Sequence, residues 1–474
     1  MDRLASWGDV TALNAPTGDG YMLVSRSADG PVSRRVVDVQ GSKNCFNHIG
    51  AVALAGDGLQ LRLDGAPSIS DRHMVSRILR GSGLDVLQVD DALLIAGRPT
   101  DGHIDTAAGR HLRVSICYAG ALAANIGWAV CPFPGGDAFT ARPIDLHLRV
   151  LLAAGAEWHH THGGLLSVRF PRRPRAFDVS LTSRFGPSMG ASVTGLLVAA
   201  QAAGTSTLRG VCPEPEVMGV MAALQALGVR VEEVDEDVMR VHGVDGPLPG
   251  TARVTIPPDR IEAATYLIIG ALHEGETAVA GIALHHFPVG LREAFDRMGL
   301  PLRQRVSPDG TPVTTLVRHT LGATQIETGP HPGFPTDVQP QIATLLTQAH
   351  GTSTVRERVY DSRTTHVPQL ARLGLRVDVQ GDRQRVPGLQ TARGGEATVT
   401  DIRCGAALLV AAAAADGPVL LHDPAGHLAR GYADLGAKLA QFGMEVAAPR
   451  AGDGGGPAID AVTVGGSQRS MPGC

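Results

Sequence analysis

Three segments put residue types that chemistry needs where a loop meets a helix. The first is Gly41-Ser42-Lys43-Asn44, a glycine-led turn that ends a strand and opens an apolar helix. Helix N–H groups and an ammonium pointing the same way make an anion site, although a lysine in such a turn is often only solvated. The second runs from Pro134-Gly135-Gly136-Asp137 to Arg142-Pro143-Ile144-Asp145-Leu146. A flexible stretch carrying an acid, followed by a stiffer one carrying an arginine, reads either as a mobile loop over a site or as a surface hairpin. The third is Pro330-His331-Pro332-Gly333-Phe334-Pro335-Thr336-Asp337, whose prolines pre-set the backbone so that Thr336-Asp337 is expected to cap the next helix. Helix starts at Pro258-Asp259-Arg260 and Thr400-Asp401-Ile402-Arg403 echo it. Arg113, Arg142, Arg363, Arg403 and Arg430 are candidates for a basic lining. Guanidinium groups grip carboxylate and phosphate bidentately, so a small polyanion would suit them. Spacing alone leaves open whether these groups converge.

The elements that must position them repeat along the chain. A helix-like apolar run, a glycine and a short alternating strand recur at Gly83, Gly155, Gly228, Gly299, Gly374 and Gly443. The interval is roughly 70 residues, the fixed period of a repeat architecture. A second phrase interleaves, in which helices of small residues end at a glycine before a strand, as at Ala203-Gly204-Thr205 and His350-Gly351-Thr352. Helices such as 263–272 and 405–415 lack a polar stripe, so they are expected to be buried on all sides. Pro215–Leu227 and Leu435–Phe442 read as their amphipathic partners. Six units exceed one compact core, which points to two domains of three units each. A strand is expected at Arg34–Val39, and the glycine-rich tail 449–474 reads as disordered.

Composition narrows the class. With 43% hydrophobic residues and a net charge of -4, the chain is neither disordered nor a basic nucleic-acid binder. Aromatics are only 4%, so the core must be built from Ala, Val and Leu. Cys45, Cys117, Cys131, Cys212, Cys404 and Cys474 form no C-x-x-C, which suggests reduced thiols and a cytoplasmic location. No apolar run is long enough to span a membrane. Trp158-His159-His160-Thr161-His162 alternates poorly for a metal site and lacks a completing carboxylate or cysteine, so no metal is expected. Glu214 and Glu216 read as helix-start acids stabilised by the dipole.

Together these segments resemble the enolpyruvyl transferases, above all the UDP-N-acetylglucosamine 1-carboxyvinyltransferase branch, over about residues 34 to 448 in unbroken order. The resemblance implies an α/β fold of two inside-out barrel domains with six βαβαββ repeats. One domain would comprise 43–257, and the other 1–42 plus 258–448. It implies transfer of the enolpyruvyl group of phosphoenolpyruvate to a hydroxyl, with release of phosphate and no cofactor. By resemblance, Lys43, Arg142 and Arg430 hold the phosphate, Arg363 and Arg403 meet the carboxylate, and Arg113 assists. Asp337 is the base at the acceptor hydroxyl, with Asp401 as a second proton carrier. Asn44 touches the acceptor, Arg142-Pro143-Ile144-Asp145-Leu146 reads a uracil, and Ser188 and Gly190 belong to the turn that binds the acceptor's phosphate.

The chain also departs from that family. Asp137 stands where a cysteine is usual, and a carboxylic acid can supply the same proton, so it is expected to be the general acid. A usual lysine is replaced around Gly186, with Arg184 as its compensation, and Cys117 stands where an aromatic is common. A kept uracil segment beside an altered phosphate turn favours a uridine nucleotide other than the usual sugar nucleotide. The preferred acceptor is the 3′-hydroxyl of UMP, as in the nikkomycin and polyoxin branch, and UDP-N-acetylglucosamine is the alternative. A non-catalytic nucleotide-binding homologue is a remote third reading. A ring or cyclase acting on RNA is disfavoured by the charge.

Overall fold

All six glycines at the repeat period take a left-handed backbone, with φ between +67° and +99°. A Cβ disfavours that conformation, so glycine lets each outer helix stop and turn sharply into a strand. The computed structural model describes residues 20–27 and 34–447, apart from 138, 141, 162, 361 and 362. The expected disordered tail lies outside these residues.

Each glycine feeds a sheet built on one plan. In the first sheet the order is Thr251–Thr255, Leu59–Asp64, Ala92–Gly97, Leu84–Val89. The Thr251–Thr255 edge pairs parallel to Leu59–Asp64, and the remaining pairs are antiparallel. Four more four-stranded sheets repeat this order. The three-stranded sheet of Trp128–Pro132, Glu157–Thr161 and Leu165–Arg169 keeps its parallel edge only as a bridge between His103 and Val130. The last sheet is completed by Tyr21–Arg26, inserted antiparallel between Val419–His422 and Met444–Ala447. That strand has no counterpart among the sequence expectations. The expected Arg34–Val39 strand is found at Arg34–Asp38, parallel to Glu276–Ala280.

The helices without a polar stripe are the inner ones. Arg260–Gly270 and Gln339–Leu346 are buried throughout, and Ser115–Ile126, Met189–Gln201 and Ile402–Ala414 nearly so. Each fully buried Leu, Ile or Val contributes about 1.5–3 kcal/mol, which lets an aromatic-poor chain hold two cores. One core draws on residues from Cys45 to Ile256. The other draws on Met22, Val24 and Val37 together with residues from Ile261 to Met444. The architecture is thus two-domain α/β, made of small mixed sheets that are each open at the edges. Among the described residues, no helix is long and apolar enough to cross a membrane.

The two chain crossings between the lobes run side by side. Ser42 N–H donates to the Pro257 carbonyl at 2.7 Å, and Asp259 N–H to that of Gln40 at 2.8 Å. Gly41 has no room for a side chain, since a Cβ there would lie 1.9 Å from the Gly65 carbonyl oxygen.

Candidate active site

Both crossings deliver functional side chains into one cleft of about 1360 Å³. An ordinary single-ligand pocket is roughly 300–1,000 Å³, so two substrates fit. Ser42 caps the Lys43–Ile49 helix by accepting from Cys45 N–H at 3.3 Å. Lys43 N–H donates to Asp259 at 3.0 Å, and Asp259 also caps the Arg260–Gly270 helix. One carboxylate therefore fixes the first turns of helices from both lobes.

The Lys43 ammonium lies 3.4 Å from Asp71, whose side chain is fully buried. Asp71 also accepts from Asn47 at 2.9 Å, His111 at 3.0 Å and Arg430 at 3.1 Å. Burial alone would raise its carboxyl, but Lys43, His111 and Arg430 hold it far below the usual range. Arg430 comes from the other lobe and reaches Asp137 at 2.6 Å. Asp137 is held low in the same way, with burial opposed by His427, Arg430 and Lys43. Asp137 is therefore an anion here, the opposite of the protonated form that a general acid needs.

Gly135 and Gly136 permit the approach of the Asp137 loop. A Cβ at Gly135 would lie 1.5 Å from the Arg110 carbonyl oxygen, and Gly136 has φ +87°. Arg113 braces the loop at both ends, donating to the carbonyls of Pro134 at 3.1 Å, Pro143 at 2.9 Å and Arg142. Burial and the neighbouring Arg142 bring Arg113 down to about 10. Further along, Phe139 meets Tyr360 of the other lobe edge-on at 5.2 Å. Arg142 and Arg363 lie over the Phe139 ring at 5.5 and 4.3 Å. The loop thus lies across the cleft and touches both lobes.

At the second carboxylate, Asp337 receives Arg363 on one oxygen and Arg403 on the other, both at 2.9 Å. Burial would raise its pKa, but Arg403 and Arg363 depress it strongly. This corrects the expectation of a helix cap, because Asp337 sits in the turn Thr336–Val338 and its carboxylate points to the guanidiniums. Asp137 and Asp337 line the same cleft.

Three expected site residues do not line the cleft: Arg363, with a side chain 2% exposed, meets it through Asp337, and Asp401 and Ile144 sit elsewhere. Asp401 caps the Ile402–Ala414 helix, accepting from Arg403 and Cys404 N–H groups at 2.9 Å each and from Thr365 at 2.6 Å. It does not line the cleft. Ile144 is 5% exposed and packs into the first core. Its neighbours Arg142, Pro143, Asp145 and Leu146 do line the cleft, as do Asn44, Ser188 and Gly190. Ser188 caps the Met189–Gln201 helix through Ala191 N–H at 3.3 Å. Before it, Thr182–Ser183 and Gly186–Pro187 form a two-stranded ribbon that projects Arg184, whose guanidinium lies 4.4 Å from the Phe185 ring centre. Cys117 is a buried thiol raised to about 11 by desolvation, which makes it inert.

Comparison with known proteins decides the family. The family profile described as EPSP synthase (3-phosphoshikimate 1-carboxyvinyltransferase) matches residues 29–439. The chain belongs to this enolpyruvyl transferase family. It is 33% identical to UDP-N-acetylglucosamine 1-carboxyvinyltransferase of Halothermothrix orenii over 416 residues, covering 86% of this chain and 95% of that one. It is 34% identical to UDP-N-acetylglucosamine 1-carboxyvinyltransferase 3 of Symbiobacterium thermophilum over 438 residues, 91% and 99% of the two chains. Among solved structures, the enolpyruvyl transferase NikO from Streptomyces tendae superposes with a TM-score of 0.79 at 25% identity, covering 90% of this chain and 99% of that one. EPSP synthase from Acinetobacter baumannii shares the fold, with a TM-score of 0.67 at 17% identity over 90% and 100% of the chains.

Several groups of this cleft are absent from the sequence expectations. Asp71, His111 and His427 belong to the Asp137 pole. The one signal for Asp71 is an acid in the first turn of the Ser70–Gly81 helix, which usually means only dipole stabilisation. Glu214 and Glu216, expected as helix-start acids, bind Arg260 of the other lobe at 2.6 and 3.1 Å. Burial and its neighbour Glu216 raise Glu214, whereas Arg260 outweighs burial at Glu216 and lowers it. Among the described residues, no group of His, Cys, Asp and Glu could hold a metal ion.

Proposed function

We propose that this enzyme moves the enolpyruvyl group of phosphoenolpyruvate to the 3′-hydroxyl of UMP and releases phosphate. The cluster of Lys43, Arg430, Arg363 and Arg403 around Asp137 and the partly exposed Asp337, with Arg142 on the same cleft, supports a small trianionic donor substrate. On this reading Lys43, Arg142 and Arg430 take its phosphate, with Arg113 assisting, and Arg363 and Arg403 take its carboxylate. The trianion then neutralises the cations that keep Asp137 and Asp337 ionised, and the proton affinity of both rises. Asp137 gains the proton it delivers to C3, C2 becomes cationic, and the acceptor hydroxyl adds there while Asp337 takes its proton. The tetrahedral adduct returns a C3 proton to Asp137 and expels phosphate. Asp401 acts through the helix that carries Arg403.

The observation that carries the choice of acceptor is the ribbon Ser183–Pro187. Arg184 stands against Phe185 just before Gly186, around which the resemblance expects a lysine, and beside a kept Arg142–Leu146 segment. The likeness to NikO supports a nucleoside-antibiotic role. Relatives named UDP-N-acetylglucosamine 1-carboxyvinyltransferase at 31–34% identity favour the second reading, cell-wall synthesis. Phosphate release with phosphoenolpyruvate and either UMP or UDP-N-acetylglucosamine decides between them. Turnover on UMP is expected, and turnover on the sugar nucleotide alone would reverse the assignment.

The same reading treats 43–257 and 1–42 plus 258–448 as the domains, supported by the two separate cores. Each is taken as an inside-out barrel with its sheets around buried helices. Five free cysteines among the described residues support a cytoplasmic location.

A further inference from the structure

His427 does not line the cleft, and its Nδ1 lies 3.5 Å from the same Asp137 oxygen that Arg430 grips. That nitrogen is buried and makes no hydrogen bond among the described residues, so Asp137 is the group it faces. The placement is built in. Asp423, 1% exposed, accepts from the backbone N–H groups of His427 and Leu428 at 2.8 and 2.9 Å, fixing the turn Leu428–Arg430. One turn therefore presents an imidazole and a guanidinium together to the loop carboxylate. The charged groups around the imidazole are Asp137 on the loop, Arg430 on its own turn and Asp423 at the base of that turn. Lys43, Asp71 and His111 lie beyond Arg430.

We infer that His427 is a positioning residue that stores the proton Asp137 uses. The inference rests on enolpyruvyl transfer as the reaction. When the phosphate of phosphoenolpyruvate engages Lys43 and Arg430, the proton on His427 Nδ1 passes to the Asp137 carboxylate, leaving a neutral imidazole. Asp137 then gives it to C3, where the π pair of the double bond forms the new C–H bond. On elimination the electrons of a C3–H bond remake the double bond, and phosphate leaves with the C–O pair. The released proton returns to Asp137 and then to His427, so the inventory closes in each turnover. A thiol at position 137 would carry its own proton at neutral pH and would have no use for such a store.

The test compares the full-length wild type with His427→Gln and His427→Asn, and repeats the pair in an Asp137→Cys background. With the native Asp137, loss of the imidazole is expected to lower kcat on the order of 100-fold. The KM for phosphoenolpyruvate is expected to stay within about threefold, because no ground-state contact is removed. In the Asp137→Cys background the same change is expected to alter kcat by less than about threefold. An unchanged kcat with Asp137 present, or an equal loss in both backgrounds, would overturn the inference. Phosphate release by the wild type, measured alongside, reports on the reaction itself and separates its failure from that of His427.

Discussion

Asp137 is an anion in this arrangement because burial, which favours the neutral acid, is outweighed by His427, Arg430 and Lys43. On the proposed reaction, a carboxyl at this position takes up its proton when the donor substrate engages those cations. Asp137→Asn should lower kcat by about 10²–10⁴-fold, the usual contribution of a positioned acid, with the fold intact by circular dichroism. A thiol-directed epoxide phosphonate mimic of phosphoenolpyruvate should leave the wild type active and unlabelled, since Cys117 is buried and raised. Asp137→Cys should gain one adduct on the loop by mass spectrometry, and an adduct on the wild-type loop would contradict the assignment. Asp337 is the complementary case, a base whose two guanidinium partners must be shared with a substrate carboxylate. Asp337→Asn should lower kcat by a similar factor of about 10²–10⁴.

The loop and the helix starts show why parts of the site are legible in sequence and parts are not. Gly135-Gly136 announces a loop that side chains would obstruct, and the contact at 1.5 Å shows the obstruction. Gly135→Ala should therefore lower kcat/KM by at least about tenfold, because Asp137 is misplaced. Its melting temperature should stay within a few degrees of the wild type, because the loop lies outside both cores. The repeat glycines, the buried helices and the arginines at helix starts are local signals, readable within a few residues. The capping of a helix by Asp337 was an equally local expectation, and it fails because Arg363 and Arg403 arrive from 26 and 66 residues away. Asp71 and Arg430 are separated by 359 residues, and nothing near either one signals the other. The Tyr21–Arg26 strand is invisible for the same reason, since its partners lie at the opposite end of the chain.

Across the whole molecule, the lobes are joined by buried charge on both sides of the crossings. Arg260 binds Glu214 and Glu216, and Arg430 binds Asp71 and Asp137. Arg260→Met removes the cation and leaves two carboxylates buried together, so it should destabilise the protein by about 3–5 kcal/mol, measurable by denaturant unfolding. Acid should weaken the other junction, and with it the Asp337 pair with Arg363 and Arg403 inside one lobe. Asp71, Asp137 and Asp337 have folded pKa values below the unfolded one of about 3.9. Their stabilisation is full above that value and is lost as pH falls through it towards the folded values. The melting temperature should thus decline steeply below about pH 4, and Asp71→Asn should be less stable at neutral pH with a shallower acid decline.

On the proposed mechanism Asp137 protonates C3 of phosphoenolpyruvate while the ring of cations holds its anionic groups. Turnover of phosphoenolpyruvate with UMP in heavy water tests this most directly, because the adduct then carries a CH2D group that loses either isotope. Mass spectrometry should find deuterium in the vinyl methylene of the product, and Asp137→Asn should slow the appearance of product and label together by about 10²–10⁴-fold. A product formed at the wild-type rate with no deuterium at that carbon would contradict the account.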